Sequence, residues 1–158
     1  MFPETFVERW VSKLTKPDEV VFDPFCGRGT TPFQALLMGR RALASDINPV
    51  AYCITKAKTN SPPAQVVRRR ITQLENGFSR RTWEGMRRQM PEFFQHAYTR
   101  ITLQQLLYLR ASLRWEDNDA DGMIAALTLG ALHGESKKSS SYLSNQMPRT
   151  ISTKPACD

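Results

Sequence analysis

Apolar residues along this chain fall into two short runs near the N-terminus and into longer helical spacings after about residue 60. The first run, Val20, Val21 and Phe22, follows the breakers Lys16, Pro17 and Asp18 and predicts a buried parallel strand ending at Asp23. Residues 41–45 predict a second strand, and residues 30–38 between them predict a short helix closed by Gly39. A strand, helix and strand in that order cross over right-handedly, so the two strands are expected to lie parallel and adjacent. Residues 50–58 continue as a helix. Val67, Ile71, Leu74 and Phe78 then recur at helical spacing, and the chain beyond Pro91 reads as helical until Gly134. There, Leu103, Leu106, Leu107, Leu109 and Leu113 mark one helix, bounded by Trp115. An acidic turn over residues 116–121 separates it from a second, marked by Met123, Ile124, Leu127 and Leu132.

The junction between the first strand and the first helix carries the chemistry. It reads D-P-F-C-G-R-G-T-T over residues 23–31. Gly27 and Gly29 allow a sharp turn and a close approach of backbone to ligand. Thr30 and Thr31 place hydroxyls at a helix N-terminus, whose free N–H groups favour a carboxylate or phosphate. Pro32 suits the first helical turn. The second strand delivers Asp46 about 20 residues past the first glycine, where doubly wound folds place an acid that holds ribose hydroxyls. A nicotinamide fingerprint needs a third glycine at position 32, and a P-loop needs Lys before the Ser or Thr; neither is present. A lone G-x-G is an ordinary turn, and it is the preceding D-P-F and the following acid that make this one a candidate site.

These residues resemble the S-adenosylmethionine motif of DNA methyltransferases that modify exocyclic amino groups, giving N4-methylcytosine or N6-methyladenine. Residues 2–10, F-P-E-T-F-V-E-R-W, are similar to the segment that precedes that motif in circularly permuted members and closes over the methionine end of the cofactor. Asp46-Ile47-Asn48-Pro49 is similar to the family's ribose-binding strand end. A weaker resemblance runs through Leu132-His133-Gly134 and residues 142–148. The main match covers about the first 60 residues. It implies that Asp23, Pro24, Phe25, Gly27 and Gly29 shape a cofactor pocket, that Thr30 and Thr31 meet the methionine carboxylate, and that Asp46, Ile47 and Asn48 lie at the ribose. Phe2 and Thr5 are expected near the methionine end.

The resemblance also implies a D/S/N-P-P-aromatic loop that binds and stacks the flipped target base. Asn60-Ser61-Pro62-Pro63 imitates it in letters only, since it follows a helical stretch and Ala64 stands where the aromatic belongs. No catalytic residue is therefore assigned to this chain. Two parallel strands leave two open edges and too little sheet to cover, so the expected fold is α/β, an incomplete Rossmann-like methyltransferase fold with a mostly helical insertion. The expected organisation is a cofactor-binding unit over 1–63, a basic helical insertion over 64–134, and an extended tail over 135–158. The tail leads toward a catalytic half supplied by a missing C-terminal portion or a second chain.

Charge sharpens this picture. The chain is +7 overall, and residues 64–90 hold seven Arg against two acids. The helical spacing of Val67, Ile71, Leu74 and Phe78 leaves Arg68, Arg69 and Arg70 largely on the outer surface, with Arg80, Arg81, Arg87 and Arg88 following, a cluster suited to DNA phosphates. A solvated face that only keeps the protein soluble is the competing reading. Three cysteines without C-x-x-C spacing fit reduced thiols, and His96 and His133 lie in no metal-ligand spacing, so no metal is expected. No apolar run approaches the ~20 residues of a membrane span, and no signal segment follows Met1, which points to the cytoplasm. The function expected is the S-adenosylmethionine-binding portion of a DNA amino-methyltransferase, of the kind found in restriction-modification. Two alternatives are an RNA guanine-N2 methyltransferase, whose turn is similar, and a non-catalytic nucleic-acid-binding fragment.

Overall fold

In the computed structural model, residues 3–132 together with 143 and 144 are described. They are mostly helical, with one two-stranded parallel sheet, and divide into two compact units. The tail over 135–158 and most of the weaker resemblance, including His133 and Gly134, lie outside the described residues, apart from Leu143 and Ser144.

The first unit comprises residues 1–63 and 115–126, the latter a stretch that the sequence alone groups with the insertion. Helix α1 (Glu4–Leu14) buries Val7 and Val11, one turn apart on one face, and packs on α2 (Thr30–Leu37). Strands β1 (Val20–Asp23) and β2 (Arg41–Ala44) pair in parallel, with Val20 opposite Arg41 and Asp23 opposite Ala44. Gly39, at φ 72°, ends α2 in the left-handed region and turns the chain into β2. Helix α3 (Pro49–Thr59) is capped by the Asn48 side chain, which accepts from the Val50 N–H at 2.9 Å, and Pro49 occupies its first turn. Its buried residues are Ala51, Cys53, Thr55 and Ala57, and it meets residues 115–126 where the Cys53 thiol donates to the Gly122 carbonyl at 3.6 Å and Lys56 donates to the Glu116 carbonyl at 2.6 Å.

The strands are where the sequence places them, but they are not buried on both faces. Side chains alternate across a sheet, and Val21 and Ala42 turn toward the face that α2 covers. Phe22 and its partner Leu43 turn the other way and are 61% and 59% exposed. No described element covers that second face, so the expectation of a doubly buried strand gives way to a one-sided sheet.

The second unit comprises residues 64–114 and the chain from Leu127 onward. It holds α4 (Ala64–Gly77), α5 (Arg80–Gln89), α6 (Glu92–Ala97) and α7 (Arg100–Ser112). Val67 and Leu74 of α4, Ala97 of α6, and Leu103 and Leu107 of α7 form its core. Tyr108 anchors the packing through tilted or edge-on ring contacts to Phe78 and Trp83 at centroid distances of 5.6 and 5.8 Å. The last helix, α8 (Asp119–Ala131), begins in the first unit, and the apolar set expected for it is only partly core: Ile124 is buried whereas Leu127 is exposed. Among the described residues no helix is long and apolar enough to cross a membrane.

Candidate functional site

The glycine turn stands at the C-terminal ends of the two parallel strands, held by the side chains of Asp23, Ser45, Asp46, Thr55 and Lys58. Asp23 begins it by accepting the Phe25 N–H at 3.0 Å, a local turn that only a short acceptor side chain closes. Ser45, just past β2, fastens the turn to the sheet: its N–H donates to the Asp23 carbonyl at 3.0 Å, its carbonyl accepts from Cys26 N–H at 3.1 Å, and its hydroxyl donates to the Pro24 carbonyl at 3.2 Å.

Asp46 ties the far side. One carboxylate oxygen accepts the Gly27 N–H at 2.8 Å and the other the Asn48 N–H at 2.9 Å. These two bonds, the Asn48 one first, hold its carboxyl below the usual carboxylate range despite a smaller opposing effect of burial. From α3, buried Thr55 donates its hydroxyl to the Gly27 carbonyl at 3.1 Å and accepts the Cys26 thiol at 3.7 Å, while Lys58 donates to the Arg28 carbonyl at 2.7 Å. Gly27 and Gly29 both have positive φ, 53° and 78°. At Gly29 the requirement is double, because a Cβ would lie 2.7 Å from the Thr55 hydroxyl oxygen.

What the turn presents outward is donor-rich. The N–H groups of Arg28, Thr30 and Thr31, and the hydroxyls of Thr30 and Thr31, have no hydrogen-bond partner among the described residues. They stand where α2 begins, with Gly29 as a cap that supplies no side-chain bond. Phe25, 87% exposed, and Ile47, fully exposed, leave apolar surface just past the ends of the two strands, and Pro24 is exposed as well. A cavity of about 340 Å³ opens beside Asp46, lined by Cys26, Ser45, Tyr52, Thr55 and Lys56 among others, and its size falls within the usual range for small ligands.

The structure thus brings Asp23, Pro24, Phe25, Gly27, Gly29, Thr30, Thr31, Asp46, Ile47 and Asn48 to one end of the sheet. Thr5 is exposed in the first turn of α1, with no hydrogen bond to the turn, and Phe2 lies outside the described residues. Sequence reasoning missed Ser45, Thr55 and Lys58. Asn60-Ser61-Pro62-Pro63 leaves α3 directly, and Asn60 spends its side-chain amide on Asp119 at 2.9 Å.

The seven arginines of the second unit do not form one uniform outer face. Arg68, Arg69, Arg80, Arg81 and Arg88 are exposed. Arg70, expected outside, is half-buried and donates to the Ser112 carbonyl at 3.1 Å, completing the C-terminus of α7. Arg87 is drawn in as well, giving both Nε and a terminal nitrogen to Glu84 at 3.2 and 3.0 Å. Glu84 also receives Arg88, Arg100 and the buried Gln104 amide, and the Arg87 bond leads a set of contacts that takes its carboxyl down to about 2. It is ionised throughout the ordinary pH range, and its charge is spread over three guanidinium groups.

Comparison with known proteins bears on the first unit. Residues 1–57 match the DNA methylase family. The Type II methyltransferase M.MvaI of Kocuria varians is 34% identical over 71 residues, which are 44% of this chain and 15% of that protein. The matched stretch is therefore a small part of that relative. No solved structure matches this chain. The residues that match the family include the whole of the turn, both strands and the acid that ties them, so the likeness of this chain to N4/N6 DNA methyltransferases lies in its N-terminal segment.

Proposed function

We propose that the first unit is the S-adenosylmethionine-holding portion of a DNA amino-methyltransferase, with the catalytic P-P-aromatic loop supplied from outside this chain. The observation that carries the reading is the hydrogen bond from Gly27 N–H to Asp46, which fixes the glycine turn and the strand-end acid as one rigid arrangement. The residues present fit such a cofactor. Thr30 and Thr31 offer unspent donors to a carboxylate at the start of α2. Asp46 accepts one bond on each oxygen and so has acceptor capacity left for ribose hydroxyls. Phe25 and Ile47 offer apolar surface beside these polar groups.

When bound, the cofactor supplies an activated methyl group on a sulfonium. The work of this chain's residues is then positional: the turn fixes the donor, and placement in line with the amine supplies most of the acceleration. Nothing in this arrangement abstracts a proton or stacks a base, and Asn60 is engaged with Asp119. The one-sided sheet supports completion by further strands, from the rest of a longer chain or from a second one, since Phe22 and Leu43 present an uncovered apolar face next to open strand edges.

The test is methyl transfer from labelled S-adenosylmethionine to duplex DNA. This chain should transfer none, and transfer should appear when a partner polypeptide carrying a strand followed by D/S-P-P-Y is added. Transfer by the chain alone that disappears on Pro62→Ala would assign the loop to residues 60–63 and overturn this division of labour.

A further inference from the structure

An open cavity of about 480 Å³ lies in the second unit, between α5 and α7, lined by Arg80, Arg81, Glu84, Arg100, Ile101 and Gln104. Its floor is polar and fixed. Gln104, 2% exposed, donates its amide to Glu84 at 2.7 Å and to the Arg80 carbonyl at 3.3 Å. Glu84 in turn receives Arg100 through Nε at 3.1 Å, which sets the direction of that guanidinium although its side chain is 54% exposed. Arg80 and Arg81 stand on the rim, and neither side chain has a hydrogen bond or ion pair among the described residues. They also occupy the first turn of α5, where the helix dipole favours acids and disfavours bases. Two unpaired cations in an unfavourable position, facing a third held in place by a buried network, form an arrangement that an anion would stabilise.

We propose that this cavity is a phosphate site for the nucleic-acid backbone, in which Arg80, Arg81 and Arg100 hold one phosphodiester group and Glu84 is the positioning residue that orients Arg100. The assignment rests on the DNA reading above and divides the arginines of that reading. Arg80 and Arg81 meet phosphate, joined by Arg100, whereas Arg87 serves Glu84. A phosphodiester fits better than a small free anion because the same unit carries further exposed cations, Arg68, Arg69 and Arg88, beyond those a single phosphate uses. Guanidinium groups suit this role through their forked donors, and such contacts strengthen binding without reading sequence.

Two measurements on the full chain test the site. Fluorescence anisotropy with a labelled duplex at several salt concentrations should show the slope of log affinity against log salt falling by roughly one unit in the double variant Arg80→Gln/Arg81→Gln, and by a similar amount in Arg100→Gln. NMR of the arginine Nε–H groups during titration with inorganic phosphate should show shifts at Arg80, Arg81 and Arg100. A folded double variant with the wild-type slope would overturn the proposal, as would phosphate that moves none of the three signals. A wild-type chain that binds no DNA, while phosphate still moves all three, would overturn the nucleic-acid reading itself and leave only a small-anion site.

Discussion

Gly29→Ala should be the most damaging single-methyl change in the first unit, costing about 2–5 kcal/mol in denaturant unfolding. Two separate effects add. Gly29 sits at φ 78°, a left-handed conformation that costs a residue with a Cβ about 1–2 kcal/mol. The new Cβ also arrives 2.7 Å from the Thr55 oxygen and 2.9 Å from its methyl, and Thr55 is buried and committed to the Gly27 carbonyl. Overpacking of that kind adds about 1–3 kcal/mol. Gly39→Ala separates the two effects, because Gly39 has φ 72° with nothing within 4 Å of a built Cβ. It should show the backbone cost alone. Adding Thr55→Ala to Gly29→Ala should recover part of the loss, since the two nearest atoms are then gone. Equal costs at the two glycines would show that the Thr55 contact is relieved without penalty.

Asp46→Ala should weaken S-adenosylmethionine binding by roughly 10- to 100-fold, the range expected for lost hydrogen bonds to a charged acceptor. The carboxylate has two tasks that Ala cannot perform. It accepts the Gly27 and Asn48 N–H groups, which fixes the turn, and in the proposed complex it also accepts ribose hydroxyls. Asp46→Asn separates these tasks. One amide oxygen still accepts a single N–H, whereas the NH₂ group faces the other donor, so affinity should fall between wild type and Ala. Isothermal titration calorimetry reads the difference. Equal affinity for wild type and Asp46→Ala would remove Asp46 from the site.

Much of the first unit was legible because its signals are local. Lys16, Pro17 and Asp18 precede β1, Gly39 ends α2, and the short apolar runs have no room to be helices. The turn was legible for the same reason, since its glycines, Asp23 and the α2 start lie within nine residues. Its supports were not. Ser45, Thr55 and Lys58 reach it from 19 to 30 positions away, and a Ser, a Thr and a Lys on a strand end and a helix carry no pattern that distinguishes them from surface residues. Strand burial is not legible in the sequence, because a run such as Val20-Val21-Phe22 records hydrophobicity and not what covers it. The number of arginines is legible in sequence, but not which of them turn inward. Glu84 is one acid among many cations in sequence, and only the packing of α5 against α7 shows it gathering Arg87, Arg88 and Arg100 to itself.

If the glycine turn and Asp46 form one cofactor site, titrating ¹⁵N-labelled chain with S-adenosylmethionine should produce saturable shifts confined to the amides of residues 25–31 and 46–48 and lost in Asp46→Ala, since NMR detects even weak binding residue by residue. Shifts that saturate elsewhere, or an unchanged spectrum at millimolar cofactor, would contradict it.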